Sequence, residues 1–439
     1  MQLDCWRSSG STSIRKGRLS IVSGMSFALA ALCVAPAFAE TGASQDDLRA
    51  QIEALRAEQA RIGELQHQTD AKLRALEAGL GAQSAPAVAK SPLAAASMVA
   101  EAKPRLNVSG DLRLRTQGDY SDAARDHTSA QVRGRLGATY TVNDRVTLGA
   151  RLITGDADDP NSVDVQLSNF DDDLKVSLDL AYAQFSFGDL KLYGGKIPQP
   201  FARTDLVWDG DVNPQGVSAV YKRPFADGSA LRASSIFFIV DEQAVAADST
   251  MVGGQLGYDS AAIGAWKYDL SAAYYDYRLG NVAGGDIGDF RTNLRNPDGS
   301  YLSDFNLGDL IVGATWSGFS ERWPVRVVGD YVHNFGAGTS DDTGYGVDLA
   351  LGRASKLRDW RLTYGYSTAE TDSVLAAFSH DNIAIATNYR LHALTFDYVP
   401  LPKTMISANW YHYKPYEPGA GAVDSGWIDR VRLAFLVSF

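Results

Sequence analysis

Across residues 105–439, large apolar residues recur at every second position in one segment after another. In the final segment, WIDRVRLAFLVSF, Val431 and Leu433 alternate with Arg430 and Arg432. Successive side chains of a β-strand point to opposite faces, so this period of two predicts strands with one apolar and one polar face. Such a strand fits a soluble sandwich as well as a barrel in a membrane. The connections between the strands have to decide.

Short and long connections alternate along the whole of this region. Residues 142–144 form a short turn, whereas 155–173, 198–215 and 370–388 are long polar loops. This alternation places the long loops at one end of an antiparallel sheet and the short turns at the other, as in bacterial outer-membrane barrels. A soluble sandwich would not require that asymmetry. We therefore predict an all-β transmembrane antiparallel β-barrel of about 16 strands over residues 105–439. Later strands are predicted to begin near Gly216, Ser229, Met251, Trp266, Leu307, Trp323, Gly344, Asp359, Tyr389, Lys403 and Trp427.

The amino terminus, residues 1–39, is typical of a secretory signal peptide. Basic residues, an interrupted apolar run and an A-x-A cleavage site at residues 37–39 follow one another. A transmembrane anchor is the alternative, but the run is short for the ~20 residues that a spanning helix needs. Cys5 and Cys33 both precede the cleavage site, so the mature chain is expected to contain no disulfide.

Residues 40–80 differ from everything that follows, because a seam of positions from Leu48 to Leu80 steps by four and three alternately. The seam is apolar except at Gln59, Gln66 and Thr69 in its middle. This heptad pattern predicts an α-helical coiled coil, which we place in the periplasm. A single amphipathic helix packed on its own protein is the alternative. Residues 81–104, rich in Ala, Ser and Pro, are predicted to form a linker to the barrel.

Composition argues against several classes of function. The net charge of -11, with no basic stretch among aromatic residues, argues against nucleic-acid binding. No H-E-x-x-H or G-x-S-x-G motif occurs, so no catalytic residues are assigned and the chain is not predicted to be an enzyme. The acid-rich stretch 156–173 lacks the ligand spacing of an EF-hand, so no metal or cofactor is predicted.

One stretch carries a resemblance to a known family. The sequence LKLYGGKIPQPFARTDLVWDGDVNPQGVSAVYKR, residues 190–223, together with the terminal Phe439, resembles the Gram-negative putative porin family, which combines a signal peptide, a short coiled coil and a porin barrel. The resemblance implies an outer-membrane porin, a passive diffusion channel for small hydrophilic solutes and ions, as a homotrimer in outer-membrane lipid. It also implies that the barrel-assembly machinery recognises the last strand through Phe435, Val437 and Phe439.

Two other functions stay open at this point. The coiled coil could reach the peptidoglycan, which would make the barrel the anchor of a structural tether or adhesin. Some outer-membrane barrels are hydrolases that assemble their sites from separate strands, so the absence of a motif does not exclude catalysis.

The direction of the strands predicts where charged side chains lie in the lumen. Arginines occur on the last, first, second and third strands, in the half of each strand nearer the long loops. These four strands are neighbours in a closed barrel. We predict a basic wall at a constriction formed by Arg113, Arg115, Arg133, Arg135, Arg151, Arg430 and Arg432.

The third long loop carries the acidic partner of this wall. In porins the third loop folds into the barrel, and here we expect it to contribute Asp205, Trp208, Asp209 and Asp211. A basic wall facing an acidic loop would orient dipolar solutes and set ion preference. The alternative is an untuned lumen surface, since lumens are polar in any case.

Overall fold

A computed structural model describes residues 105–121, 125–155, 163–168, 174–280, 292–417 and 426–439. The predicted signal peptide, coiled coil and linker lie outside these residues. Within this part of the chain, no helix is long and apolar enough to cross a bilayer.

The described chain forms seventeen antiparallel strands. Their bounds are β1 (Leu106–Ser121), β2 (His127–Thr141), β3 (Val146–Thr154), β4 (Val165–Gln166), β5 (Val176–Phe187), β6 (Leu190–Lys196), β7 (Gln215–Pro224), β8 (Ala230–Asp241), β9 (Ser249–Asp259), β10 (Trp266–Leu279), β11 (Asn306–Trp316), β12 (Val325–Asn334), β13 (Thr343–Gly352), β14 (Trp360–Ala369), β15 (Tyr389–Tyr398), β16 (Thr404–Pro415) and β17 (Ile428–Ser438).

Sixteen of these strands close into one barrel. Each pairs with its neighbour in sequence, and β17 pairs with β1 from Asp111↔Ser438 to Ser121↔Ile428, so the sheet has no free edge there. The exception is β4, a two-residue strand that pairs with Gln131 and Val132 of β2. The predicted fold and strand number are therefore confirmed, and the predicted starts from β7 onward differ from the observed ones by no more than two residues.

The exterior of the barrel is apolar, as the alternation predicts. On the last strand Leu433 is 55% exposed, whereas Arg432 between it and Val431 is 4% exposed and faces inward. Aromatic residues meet at the short-turn end, where the rings of Trp323 and Trp360 lie 4.5 Å apart. An apolar band edged by aromatic residues is the surface that a barrel presents to lipid.

Two glycines bend the chain where the third long loop leaves the sheet. Gly195 of β6 pairs with Gly216 of β7, and their φ angles are +118° and +139°. A Cβ at Gly216 would collide with the carbonyl oxygen of Phe237 on the next strand. Only glycine adopts this backbone without strain, so the loop starts and ends at two positions that tolerate no side chain.

Replacing Gly216 with alanine is expected to destabilise the barrel by about 1–3 kcal/mol through this backbone strain. The measurement is the urea midpoint of the purified protein in lipid. The matched control is Gly194→Ala, because a Cβ there meets no atom within 4 Å and its φ is not positive. Equal midpoints for the two variants would contradict the strain argument.

Candidate pore constriction

Two loops lie inside the barrel and narrow its lumen. Loop 3 (residues 197–214) connects β6 to β7, and loop 7 (residues 370–388) connects β14 to β15. Their apolar residues are buried against inward-facing side chains of β8, β10, β11 and β12. The insertion of loop 3 was expected from the sequence, whereas that of loop 7 was not.

Loops 3 and 7 are joined by backbone hydrogen bonds and by ring stacking. The amide of Asp209 donates to the carbonyl of Phe378 at 2.8 Å, and the amide of His380 donates to the carbonyl of Asp205 at 3.2 Å. The rings of Trp208 and Phe378 stack with centroids 5.6 Å apart. The two loops therefore behave as one insert rather than as two separate segments.

Trp208 anchors this insert. It is fully buried, and its ring lies 5.6 Å from that of Tyr275 and 6.5 Å from that of Phe238, both of which point inward from the barrel wall. Burial of an aromatic ring of this size among other rings is strongly stabilising. The sequence prediction placed Trp208 among the residues of the constriction, but the structure gives it no exposed surface, so it holds the loop in place without lining the bore.

The end of loop 5 (residues 280–305) supports loop 7 from behind. The side-chain amide of Asn293 donates to the carbonyls of Thr371 and Val374, at 2.8 and 3.0 Å, and its oxygen accepts from the amide of Ala376 at 2.7 Å. Asn293 is buried, and buried amides with complete hydrogen bonding hold a segment in one conformation. Loop 7 is thereby fixed on both sides.

The seven predicted arginines do lie on one wall, because β17, β1, β2 and β3 are consecutive neighbours in the barrel. Six of them form ion pairs with carboxylates, which the sequence argument did not include. The pairs are Arg113 and Arg115 with Asp164, Arg133 with Asp111, Arg135 with Asp111 and Asp211, Arg151 with Asp179, and Arg430 with Asp119. Among the described residues, five carboxylates therefore compensate most of the charge of the wall.

Arg432 is the exception on this wall. Its Nε donates to the side-chain oxygen of Gln117 at 2.7 Å, one Nη donates to the side-chain oxygen of Asn382 at 3.1 Å, and the other donates to the carbonyl of Asp381 at 3.3 Å. Its guanidinium also lies over the ring of Tyr411. Within the described residues it has no carboxylate partner, so its positive charge is balanced only by dipoles and by a π-face.

The predicted loop 3 aspartates meet the wall at one point only. Asp211 lies 3.5 Å from Arg135. Asp205 is separated from the wall by Asn382 of loop 7, whose amide donates to Asp205 at 3.1 Å while its oxygen accepts from Arg432. Asn382 thus links the acidic side of the insert to the basic wall.

Asp209 lies within the insert instead of facing the wall. It is buried, and its side chain accepts a hydrogen bond from the amide of Asp211 at 2.7 Å. Burial, reinforced by the nearby carboxylates of Asp381 and Asp205, raises the pKa of Asp209 to about 8. Loop 3 therefore carries less negative charge at neutral pH than three ionised aspartates would supply.

Two adjoining cavities occupy the lumen beside the insert, and Asn382, Thr395 and Tyr411 line both of them. The larger has a volume of about 510 Å³, and its charged lining is Asp205, Asp269, Asp330, Asp348, Arg203, Arg232 and Arg326. The smaller has a volume of about 260 Å³, and its charged lining is Arg113, Arg115, Arg361, Arg432 and Asp397. The lumen is therefore polarised, with carboxylates in excess on one side and guanidinium groups in excess on the other.

This barrel, with its apolar exterior, inserted loops and charged lumen, is similar to known proteins. Residues 109–286 match the model of the family described as putative porin. Over this stretch the chain is similar to that family. The resemblance inferred from the stretch 190–223 is confirmed by this match, which contains it. No curated protein sequence matches the chain.

Solved porin structures are similar to this barrel at low sequence identity. OprB of Pseudomonas putida is 11% identical, with 76% of this chain and 94% of that one covered and a TM-score of 0.52. OmpF of Salmonella typhi, in a complex with daunomycin, is 12% identical, with 76% and 97% covered and a TM-score of 0.49. An anion-selective porin from Comamonas acidovorans is 13% identical, with 76% and 99% covered and a TM-score of 0.47.

The residues that sequence reasoning missed in this barrel belong to loop 7 and to the carboxylates behind the wall. One signal for the loop is present in the sequence: the segment 370–388 is mostly polar, yet it contains the apolar run Val374 to Phe378. An apolar run in a long connection indicates burial. No comparable signal pointed to Asp164 or Asn382, because a single polar residue in a loop has no periodicity.

Proposed function

We propose that this protein is an outer-membrane porin through which small hydrophilic solutes and ions diffuse passively. The observation that carries the proposal is the combination of a closed barrel with an apolar exterior and a lumen lined by opposed charges around an inserted pair of loops. A closed barrel satisfies all backbone hydrogen bonds in lipid, and its charged bore is wet enough for ions.

The proposed selectivity element is the basic wall facing loops 3 and 7. Arg432 on the wall and Asp205 on loop 3 are linked through Asn382, which forms a hydrogen bond of 3.1 Å with each of them. Opposite charges held across a narrow bore orient dipolar solutes and set ion preference. The paired arginines contribute less to this field than their number suggests, because each shares its charge with a carboxylate a few ångströms away.

Reconstitution in a planar bilayer tests the proposal directly. We expect unitary current steps and an ion preference that shifts strongly toward cations when Arg113, Arg115, Arg133 and Arg135 are all replaced by glutamine. The shift is expected to be large because the change removes four positive charges and also uncovers the carboxylates of Asp164 and Asp111. The measurement is the reversal potential across a salt gradient.

Two further variants separate the effect of position from that of net charge. Adding Asp111→Asn and Asp164→Asn to the quadruple variant removes two negative charges. The net charge of the lumen then lies between those of the wild type and the quadruple variant, so the reversal potential should also be intermediate. Glutamine at four exposed arginines near the short turns changes the net charge equally and should leave the reversal potential unchanged. These control positions are Arg145, Arg223, Arg353 and Arg358. If the quadruple lumen variant matched this control, the arginines would not form the constriction.

The homotrimer, the recognition of the last strand by the assembly machinery and the periplasmic position of the coiled coil form part of the same proposal. The exposed apolar band on the barrel supports insertion in lipid without distinguishing a monomer from a trimer. The mass of the detergent-solubilised protein would decide the oligomeric state.

A further inference from the structure

The smaller of the two lumen cavities has a lining that differs from the rest of the bore. Arg113, Arg115, Arg361 and Arg432 all line it, whereas Asp397 is the one carboxylate among the described residues that line it. Its volume of about 260 Å³ lies just below the roughly 300–1,000 Å³ of pockets for drug-sized ligands, so it suits a smaller molecule.

Strand register shows how the cavity is built. Arg361, Asp397, Ser407, Ala434 and Arg115 are successive partners across β14, β15, β16, β17 and β1. Arginines therefore stand at both ends of a row whose middle is formed by small side chains. Four steps between strands of about 4.8 Å each separate the two end positions by about 19 Å along the wall, and the arginine side chains extend into the space between them.

Several donors at this cavity are not used by the protein. Nε and Nη2 of Arg361 donate to Asp397 at 3.0 and 2.7 Å, and Nε and Nη2 of Arg113 contact Asp164. Nε and Nη2 of Arg115 likewise contact Gln131 and Asp164. Within the described residues, the Nη1 groups of these three arginines have no hydrogen-bond partner.

Apolar side chains line the part of the cavity next to these donors. Met405 pairs in register with Leu436, and Ala434 lies between Leu436 and Arg432 on the same inward face of β17. The lining thus offers guanidinium groups for an oxyanion and, next to them, methyl and methylene groups for a short hydrocarbon chain. A simple inorganic anion would use only the first of these features.

Resting on the proposed porin function, we propose that this cavity is a binding site for small aliphatic carboxylates, which pause there while crossing the channel. The carboxylate accepts hydrogen bonds from the unused Nη1 donors, in the charge-assisted geometry that arginine favours. The alkyl part lies against Met405, Ala434 and Leu436. The site gives the channel a preference for organic anions over inorganic ones of equal charge.

Current block in planar bilayers tests the site, with the full-length protein and sodium propionate as the probe. Propionate is expected to reduce the unitary chloride current saturably, with half-maximal block at about millimolar concentration. Arg361→Gln removes one guanidinium, and Ala434→Leu fills the middle of the row without changing any charge. Each is expected to raise the half-blocking concentration by about tenfold, the effect of losing one charge-assisted contact or its space.

Two controls separate an effect at the cavity from a change in surface charge and from a loss of folding. Arg223→Gln removes an exposed arginine that pairs with Asp189 outside the lumen, and it should leave the block unchanged. Heat-modifiable mobility in gels shows whether each variant is folded. Arg361→Gln removes the ion-pair partner of Asp397, which among the described residues keeps only the hydrogen bond from Ser407. If Arg361→Gln does not fold, Ala434→Leu carries the test.

The remaining outcomes each overturn one idea. Unitary steps that propionate does not reduce would refute the carboxylate site and leave the porin function intact. Equal block by propionate and by phosphate, at a pH below the second pKa of phosphate where both anions carry one charge, would refute the aliphatic part of the site. Equal half-blocking concentrations in the wild type and in Ala434→Leu would show that propionate acts elsewhere in the bore. The absence of unitary steps would instead refute the porin function on which the site rests.

Discussion

Deleting residues 375–384 from loop 7, with a short Gly-Ser link in their place, is expected to raise unitary conductance by about twofold or more, because a pore-narrowing segment would be gone. The deleted residues include Phe378, which stacks on Trp208, and Asn382, which bridges Asp205 to Arg432. The change removes the segment that separates the basic wall from loop 3. Single-channel recordings and the permeation of polyethylene glycols of graded size measure the result.

The expected increase has a limit set by loop 3. Trp208 still packs on Tyr275 and Phe238 after the deletion, and Gln255 still exchanges two hydrogen bonds of 2.8 Å with the backbone of Ala202. Loop 3 therefore stays in the lumen and keeps part of the constriction. A variant that also carries Trp208→Ala is expected to conduct still more, since the loop loses its aromatic anchor.

A deletion elsewhere provides the control. Residues 243–247, between β8 and β9, lie in a loop whose Val245 is fully exposed. Removing them should leave conductance unchanged, because they do not pack on the insert. If the deletion in loop 7 had no more effect than this one, loop 7 would not narrow the conducting path.

Removal of Phe439 is expected to reduce the amount of folded barrel in the outer membrane by about tenfold, corresponding to about 1.4 kcal/mol if assembly follows the stability of the closing seam. The amide of Phe439 donates to the carbonyl of Gly110 at 3.0 Å, and the amide of Gly110 donates back at 3.4 Å. Its ring covers the space where Gly110 lacks a side chain. The residue therefore completes the last pair of the seam between β17 and β1.

Phe439→Tyr is the matched variant for this prediction. It retains both the backbone hydrogen bonds and a ring over Gly110, so assembly should be normal. Heat-modifiable mobility of the protein from outer-membrane fractions measures the folded barrel. Normal yield after removal of Phe439 would show that neither the seam nor the assembly signal, which we predict to include Phe435 and Val437, depends on the terminal ring.

The strands were predictable because the alternation that identifies each strand lies within the residues of that strand. Lipid outside and water inside require opposite side-chain character on the two faces, and this requirement repeats along every strand. β10 and β15 accordingly begin at the predicted Trp266 and Tyr389. The polar stretch 117–129 favours a long connection, but β1 extends to Ser121 and β2 begins at His127. The ends of these strands consist of polar residues beyond the apolar band. They lack the alternation of apolar residues by which a strand is identified in the sequence.

The candidate site was predictable only in part. Strand order predicts the arginines on neighbouring strands, and β17, β1, β2 and β3 are neighbours in the barrel. Their compensation by Asp164 and Asp111 depends on which side chains meet in three dimensions. Trp208 was assigned to the constriction for its place among aspartates, whereas its actual position is governed by the rings of Tyr275 and Phe378.

The amino-acid sequence by itself determined a closed barrel with an apolar exterior, the number of its strands and which strands carry the arginines. Those properties follow from a local period of two and from the order of short and long connections. Only the tertiary structure decided that loop 7 joins loop 3 inside the bore, that carboxylates compensate most of the basic wall, and that the remaining positive charge gathers around one small cavity. These features arise from contacts between residues far apart in the chain, and such contacts leave no periodic pattern in the sequence.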